Sequence, residues 1–321
     1  MATTAASAVR WTDIGCNMLS EMFDGVYRGK KKHQPDVNAV LERAWEAQID
    51  RLIVTAGSLE ESREAIRFAE AHGERVFCTV GVHPTRCLSF EQREDGTHAS
   101  TEDERDTLAT AHLEALREEM RRGQETGKVV AIGECGLDYD REEFCPREVQ
   151  QRRFDQQLQL AEESRLPCFF HNRNTGGDFA EVLRRNRDRF TGGVVHSFDG
   201  SWEEASELLD LGLYIGVNGC SLKTEDNLEV ARRIPSERLL VETDAPWCTI
   251  RPSHAGSAHV KTRWPQVKRS DKWEQGKCVK DRCEPCHIWQ VGEVLAAVRG
   301  QSVEEIASIT TRNAEDLFFA K

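Results

Sequence analysis

Eight short apolar segments, rich in β-branched residues, alternate along the chain with stretches that have the periodicity of amphipathic helices. A helical pattern follows each segment, although after the first and the eighth it comes only after a longer loop. Segments that are almost wholly apolar are typical of parallel strands covered by helices on both faces. The predicted strands are Thr12–Asn17, Arg51–Ala56, Val76–Val82, Val129–Glu134, Pro167–His171, Gly193–Ser197, Leu213–Val217 and Arg238–Glu242.

This repeated order predicts an α/β fold, a TIM-type (β/α)8 barrel of the metallo-dependent hydrolase kind, in a single domain. The alternative is a doubly wound open sheet, but no Gly-x-Gly-x-x-Gly sequence follows the first strand. We expect residues 1–10 to form a flexible tail and residues 11–321 to form the barrel. Two insertions are expected, at about 88–101 and, after the eighth strand, at about 247–283.

Composition narrows the class of protein. No apolar run is long enough to span a bilayer, and the first ten residues lack the apolar core of a secretion signal. Eleven cysteines are scattered, several inside apolar segments, which is typical of reduced thiols in an intracellular, nuclear or cytoplasmic protein. The net charge is −12, so an anionic substrate would need a local attraction, for which bound divalent cations are one source.

Six residues with metal-binding side chains lie at or just past the carboxyl ends of predicted strands. A (β/α)8 barrel assembles its active site at that edge. Taken singly, each residue could be a hydrogen-bonded structural group or a turn residue, but burying several of them together without a cation would be costly. The six are Asp13, His83, Glu134, His171, His196 and Asp244.

Two imidazoles and two carboxylates, those of His171, His196, Glu134 and Asp244, suit Zn, Mn or Mg ions. Two such ions held close together can activate water and stabilise the leaving oxygen of a phosphodiester. No Ser or Cys lies in a convincing nucleophile elbow, so we expect hydrolysis without a covalent protein intermediate.

Motifs spread over nearly the whole chain resemble those of the TatD-related deoxyribonucleases. Gly-Glu-Cys-Gly-Leu-Asp at 133–138 together with Glu-Thr-Asp-Ala-Pro at 242–246 forms a specific pair. The Trp247-Cys248 continuation and the long eighth loop resemble the eukaryotic branch in particular, and Asn313 matches as well. The matching segments are 13–17, 79–84, 131–138, 170–173, 196–200, 214–216 and 240–246.

The resemblance implies a metal-dependent DNase in which Glu134 bridges two divalent ions. It also implies that His171 and His196 ligate one ion and that Asp244 ligates the other. By the same resemblance, His83 lies near the scissile phosphate, and Asp244 helps to orient the attacking water as a general base. The sequence leaves open whether cleavage is endonucleolytic or 3'-5' exonucleolytic, and it does not fix the oligomeric state.

The first strand departs from the pattern of many metal barrels, because Gly15 and Asn17 stand where His or Cys is common. Two expected imidazole ligands are missing, so one ion would be held by carboxylates and water, which favours Mg or Mn over tightly held Zn. Asp13, Asn17 and Arg173 are further candidates for supporting the site. The alternative activities are hydrolysis of a small amide, ester or phosphorylated substrate, and non-catalytic binding.

The second insertion carries a basic segment, residues 261–282, with eight Lys or Arg against three acidic residues. Cations interleaved with aromatic rings suit single-stranded or frayed DNA. The alternative is a solvated loop whose tryptophans pack on the barrel. The candidate nucleic-acid-binding residues are Lys261, Arg263, Lys268, Arg269, Lys272, Trp264 and Trp273.

Residues 283–287, Cys-Glu-Pro-Cys-His, match the spelling of a haem-attachment motif. We expect no haem, because the chain shows no export signal. Cys278, Cys283, Cys286 and His287 could instead bind a structural Zn ion, or they could be ordinary buried side chains.

Overall fold

The computed structural model describes residues 9–93 and 95–320, so most of the predicted tail at 1–10 lies outside the described residues. Eight strands form one sheet in chain order, and every neighbouring pair is parallel. The strands are β1 Trp11–Cys16, β2 Ile49–Val54, β3 Val76–Val80, β4 Val129–Asp138, β5 Cys168–Arg173, β6 Gly193–Val195, β7 Tyr214–Val217 and β8 Leu239–Val241.

The sheet closes on itself through the residues that follow β8. The carboxylate of Asp13 on β1 accepts hydrogen bonds from the amide (3.0 Å) and the hydroxyl (2.6 Å) of Thr243. The Asp244 amide donates to the Gly15 carbonyl at 2.8 Å, and the Asn17 amide donates to the Ala245 carbonyl at 2.6 Å. The predicted (β/α)8 barrel is thereby confirmed, and the open doubly wound sheet is wrong.

Among the described residues, an α-helix follows each strand of this sheet, and a ninth α-helix precedes the last turn of the chain. Ser201 and Ser302 begin α6 and α9 with reciprocal capping boxes, which satisfy amides that would otherwise lack partners. The helices are α1 Val37–Glu46, α2 Leu59–Ala71, α3 Glu102–Glu125, α4 Arg147–Ser164, α5 Asp178–Arg185, α6 Trp202–Asp210, α7 Glu225–Arg233, α8 Ile288–Arg299 and α9 Val303–Ala314. In the part of the chain described, no helix is both long and apolar enough to cross a membrane.

The barrel interior is filled from one end. Side chains such as Ile14, Ile53 and Phe169 pack inside the sheet, and Phe318 after α9 joins them. The adjacent Phe319 packs against Phe77 near the start of β3, so the chain end covers the amino-terminal rim of the strands. The carboxyl-terminal rim is therefore left for functional groups, as in other (β/α)8 barrels.

Every predicted strand differs from the observed one at one end or both, and two of these differences bear on the site. The fourth strand extends to Asp138, so Glu134 lies inside β4 rather than at its end. The eighth strand ends at Val241, and Glu242 already belongs to the segment that follows. The glycine-rich motif at 133–138 suggested a turn, but hydrogen bonds with β5 carry the strand through it.

The long segment between β8 and α8 is tied to the barrel by buried ion pairs. Arg282 donates to both oxygens of Asp36, at 2.8 and 2.7 Å, and to Glu284 at 2.9 Å. Arg43 on α1 donates to the other oxygen of Glu284 at 2.8 Å. Two cations therefore meet two anions in this network, and the buried charges are compensated. Within the segment, Gln266–Val267 pairs with Cys278–Val279 as a short parallel ribbon.

We expect Gly292→Ala to destabilise the protein. A Cβ at Gly292 on α8 would collide with the buried indole of Trp11, including its Cζ2 atom at 2.8 Å. Overpacking of this kind costs about 1–3 kcal/mol and would outweigh the gain of about 1 kcal/mol in helix propensity. Urea unfolding should show a lower midpoint, and adding Trp11→Phe should recover part of the loss. An unchanged midpoint would contradict this packing.

Candidate active site

Three buried side chains converge at the open end of the barrel. Oε1 of Glu134 lies 2.8 Å from Nδ1 of His171 and 2.8 Å from Nε2 of His196, and the two ring nitrogens are 3.4 Å apart. These atoms come from β4, from β5 and from the residue that follows β6. The structure thus brings together three of the four predicted ligands.

This triangle fits a common cation. Donor atoms about 2.0–2.2 Å from one ion lie about 3 Å from one another, and carboxylate with imidazole is a donor set for Zn and other divalent ions. The other ring nitrogen of His196, Nδ1, faces away from the triangle and lies 3.4 Å from the Glu242 carboxylate. A carboxylate on the far nitrogen of an imidazole is the usual support of a metal-ligating histidine.

The pKa values show how strongly the groups interact. Burial alone would raise the pKa of Glu134, but the imidazoles of His196 and His83 and a hydrogen bond with His171 hold it well below its usual value. Burial lowers the pKa of His196, yet Glu134 and Glu242 outweigh it and raise that pKa well above normal. Without a cation, protons on the imidazoles balance the carboxylates, so a metal ion would displace them.

His83 lies beside the triangle in a different protonation state. Its Nε2 is 3.5 Å from Oε1 of Glu134, and its ring packs edge-on against His171 with centroids 4.4 Å apart. Burial lowers the pKa of His83 to about 3, which leaves the ring neutral. The Thr85 amide donates to Nδ1 at 3.2 Å, so the proton is on Nε2, which faces the site.

Asp244, the fourth predicted ligand, lies at the edge of the triangle beside the first strand. Its Oδ1 accepts a hydrogen bond from Nδ2 of Asn17 at 2.8 Å, and its Oδ2 lies 3.3 Å from Sγ of Cys248. Burial raises the pKa of Asp244 to about 6, while His196 opposes that rise. Asn17 thus takes part in the site as an orienting residue, with its own side-chain oxygen fixed by Thr55 at 2.9 Å.

Asp138 is a site residue that the sequence reasoning missed. Its Oδ2 is 3.2 Å from Nε2 of His171, so the His171 ring is held between two carboxylates. A carboxylate on the far nitrogen of an imidazole fixes its tautomer and orientation. The sequence spacing could have identified it, because residues four apart in a strand share a face and Asp138 follows Glu134 by four.

Glu242 is the second missed residue, and it explains the departure at Gly15. Its Oε1 accepts from the Ser197 amide at 2.6 Å and from Asn218 Nδ2 at 3.1 Å, and it lies 3.4 Å from Nδ1 of His196. A Cβ at Gly15 would collide with Oε2 of Glu242 and approach Cζ of Phe169 to 2.8 Å. The space for a first-strand ligand is therefore already filled.

Two other predicted site residues, Asp13 and Arg173, lie outside the triangle of donor atoms. The carboxylate of Asp13 accepts hydrogen bonds from Thr243 and from the Gly15 amide, and burial raises its pKa to about 8. Its contacts close the barrel behind Asp244. Arg173, at the end of β5, acts through charge, since it helps to lower the pKa of Asp138 against the effect of burial.

The predicted nucleic-acid-binding residues divide into two groups. The indole of Trp273 stacks on His33, with centroids 5.6 Å apart, and donates to Asp36 at 2.8 Å. Trp264 packs edge-on against His287. Both tryptophans therefore pack against other side chains of the protein, as the structural alternative predicted. The cationic candidates are solvent-exposed: Lys261, Arg263, Lys268, Arg269 and Lys272.

Comparisons with known proteins agree with this geometry. The sequence model of the family described as TatD related DNase matches residues 12–319. The chain is 40% identical to a protein of Schizosaccharomyces pombe named deoxyribonuclease Tat-D, and the match covers 97% of this chain and 96% of that protein. It is 33% identical to a protein of a Pantoea species named 3'-5' ssDNA/RNA exonuclease TatD, with 95% and 98% covered.

Among solved structures, an amidohydrolase from Saccharomyces cerevisiae described as uncharacterized superposes with a TM-score of 0.87 at 31% identity. The superposition covers 97% of this chain and all of that one. The two chains therefore share one fold over nearly their whole length.

We expect Glu242→Gln to lower the pKa of His196, because the nearby carboxylate of Glu242 favours the charged imidazole. An NMR pH titration of the histidine rings in EDTA would measure this. Glu293→Gln is the control, since Glu293 is buried elsewhere and accepts from the Lys261 and Thr262 amides. If His196 titrates identically in both variants, Glu242 does not act on it.

Proposed function

We propose that this chain, which belongs to the TatD-related DNase family, is a metal-dependent deoxyribonuclease that hydrolyses DNA phosphodiester bonds with an activated water. The predicted family is thereby confirmed. The observation that carries the activity is the triangle formed by Glu134, His171 and His196, with the neutral His83 beside it. The relatives' names weigh against the alternative, a small amide, ester or phosphate substrate.

Two divalent ions are proposed for the site. Glu134, His171 and His196 would hold one, and Glu134 with Asp244 would hold the other, with oxygen donors that favour Mg or Mn. Bound there, the ions would supply Lewis-acid activation of water and neutralisation of charge at the phosphodiester.

The chain's own residues supply the remaining steps. Asp244, held by Asn17 and with its pKa raised by burial to about 6, accepts the proton of the attacking water as a general base. Neutral His83 donates its Nε2–H to a phosphate oxygen next to the scissile bond. Asp138 fixes the orientation of the His171 ring, and Glu242 fixes that of the His196 ring.

DNA with single-stranded or frayed ends is the proposed substrate. The exposed cations of the basic segment at 261–282 follow β8 and would bind the phosphate backbone outside the mouth of the barrel. The Pantoea relative is named as an exonuclease of single-stranded DNA and RNA, which supports the same preference. Eleven cysteines without a disulfide support the intracellular, nuclear or cytoplasmic location.

We expect the purified protein to cleave end-labelled DNA in Mg or Mn, and EDTA to abolish cleavage. Glu134→Gln should lower the rate about 100-fold or more, because it removes the charge at the centre of the site. Glu229→Gln, which changes an exposed glutamate on α7, should keep the native rate. Labels at the 5' and 3' ends distinguish endonuclease from exonuclease products. Full activity in Glu134→Gln would place the site elsewhere, and absence of metal-dependent cleavage would refute the nuclease.

Neutralising Lys268, Arg269 and Lys272 with glutamine should weaken the binding of single-stranded DNA and flatten its salt dependence. If all three contact phosphates, the slope of log affinity against log salt becomes less negative by about 2. A charge-matched variant replaces three exposed arginines on helices, Arg67 on α2, Arg121 on α3 and Arg152 on α4, and should retain the native slope. An equal loss in both variants would indicate a general charge effect instead of a binding loop.

A further inference from the structure

A large aromatic side chain is exposed close to the site at the open end of the barrel. Trp247, three residues after Asp244, is 53% exposed, although the residue before it is buried and the residue after it is half-buried. Phe144, between β4 and α4, is the other large apolar side chain exposed in this way among the described residues. A single exposed ring is ordinary on a protein surface, so the surroundings of Trp247 decide whether it has a role.

The indole of Trp247 has no aromatic or cationic partner among the described residues. Each of the other six tryptophans of the chain contacts another ring or a guanidinium group. The contacts are Trp11–Trp289, Trp45–Arg75, Trp202–Arg233, Trp264–His287 and Trp273–His33. The two tryptophans that the sequence suggested for base stacking are therefore already packed within the protein, whereas the faces of the Trp247 ring are available to a ligand.

The main chain on both sides of Trp247 is fixed. The Trp247 amide donates to the Asp244 carbonyl at 2.8 Å, and the Cys283 amide donates to the carbonyl of the preceding residue at 2.9 Å. A Cβ at Gly219, in the segment after β7, would collide with the carbonyl of Cys248, so the two segments touch backbone to backbone. A ligand would thus meet a ring on an ordered support, which lowers the entropic cost of binding.

The position of Trp247 relates it to the substrate. Its hydrogen bond with Asp244 joins it to a residue proposed to hold an ion, so a phosphodiester held at that ion would bring the adjacent nucleotides to the same rim. Aromatic side chains stack on nucleobases of any sequence, because every base has a π face. In a duplex those faces are covered by neighbouring bases, so an exposed indole would select an unpaired base.

We propose that Trp247 is a stacking platform for an unpaired nucleobase of the DNA strand, at a nucleotide adjacent to the scissile phosphate. The inference rests on the proposed function, since it takes the DNA to be held at the metal site. Stacking on the indole would place the preference for single-stranded or frayed ends at the point of cleavage itself. The cations of the basic segment would act on phosphates, and Trp247 would act on a base.

Binding of a labelled single-stranded oligonucleotide, followed by fluorescence anisotropy, tests the platform. Phosphorothioate linkages slow cleavage, so the measurement can be made in Mg. Trp247→Ala should bind about tenfold more weakly or worse, Trp247→Phe should keep most of the affinity, and Trp247→Leu should restore little because it lacks a π face. Trp45→Ala, near the end of α1 at the opposite rim, should bind as the native protein does. Native affinity in Trp247→Ala would overturn the proposal.

A matched change in the DNA distinguishes stacking from an indirect effect on the fold. A short strand built from stable abasic nucleotides keeps every phosphate and lacks every base. The loss of affinity between the intact and the abasic strand should be about tenfold smaller for Trp247→Ala than for the native protein, because the stacked base is then lost only once. Equal losses for the two proteins would show that the indole contacts no base. Unchanged melting temperatures of the variants would confirm that the fold is retained.

Cleavage of end-labelled DNA separates this inference from the proposed function. Trp247→Ala should lower the ratio of kcat/KM for single-stranded over double-stranded DNA about tenfold, because the indole acts only on unpaired bases. A native protein that cleaves DNA, with this ratio unchanged in Trp247→Ala, would overturn the platform and leave the nuclease. A native protein that shows the unequal losses in binding but no cleavage would refute the nuclease and support the platform. Absence of both binding and cleavage would overturn both.

Discussion

The buried carboxylate of Glu134 is the charge on which the open end of this barrel depends. Glu134 lies inside a strand, surrounded by imidazoles at 2.8 Å on two sides and 3.5 Å on a third. An ionised carboxylate in such a place is tolerated only if neighbouring charges compensate it. Protons on the imidazoles do so in the ion-free chain, and a divalent cation would do so better because it could contact all three donors at once. The same imbalance of charge therefore holds the side chains together and would create the affinity for a cation.

The residues that close the barrel also shape the site at its open end. Asp13 and Thr243 join the first strand to the segment after the eighth, directly behind Asp244. Glu242, two residues before Asp244, fills the space that a ligand on the first strand would need, so Gly15 is the residue that the packing admits. The oxygen-rich side of the site thus follows from how the first strand meets the segment after the eighth. A larger residue at position 15 would require these two segments to pack differently.

The sequence predicted the barrel and the convergence of its ligands because both follow from short-range patterns. Strand periodicity identified each element, and the rule that parallel strands end at one rim brought together residues more than a hundred positions apart. Asp138 was missed because the boundary of the glycine-rich fourth strand was misjudged. Glu242 was missed although it ended the predicted eighth strand, because only the tertiary structure shows its proximity to His196. The path of the loop that joins Cys278 to Cys286 follows no period, so only the tertiary structure shows that their sulfurs lie near each other.

The hardness of the donors at the barrel mouth decides which ion it would hold. Exchangeable ions there would need oxygen donors and access to substrate, which a thiolate ligand would compromise by holding zinc too firmly. Cys248 brings a sulfur close to this site, 3.3 Å from the Asp244 carboxylate. The hydrogen bond with Cys220 and burial raise the pKa of Cys248 well above normal, so it stays a thiol and would leave the carboxylate to bind the hard ion.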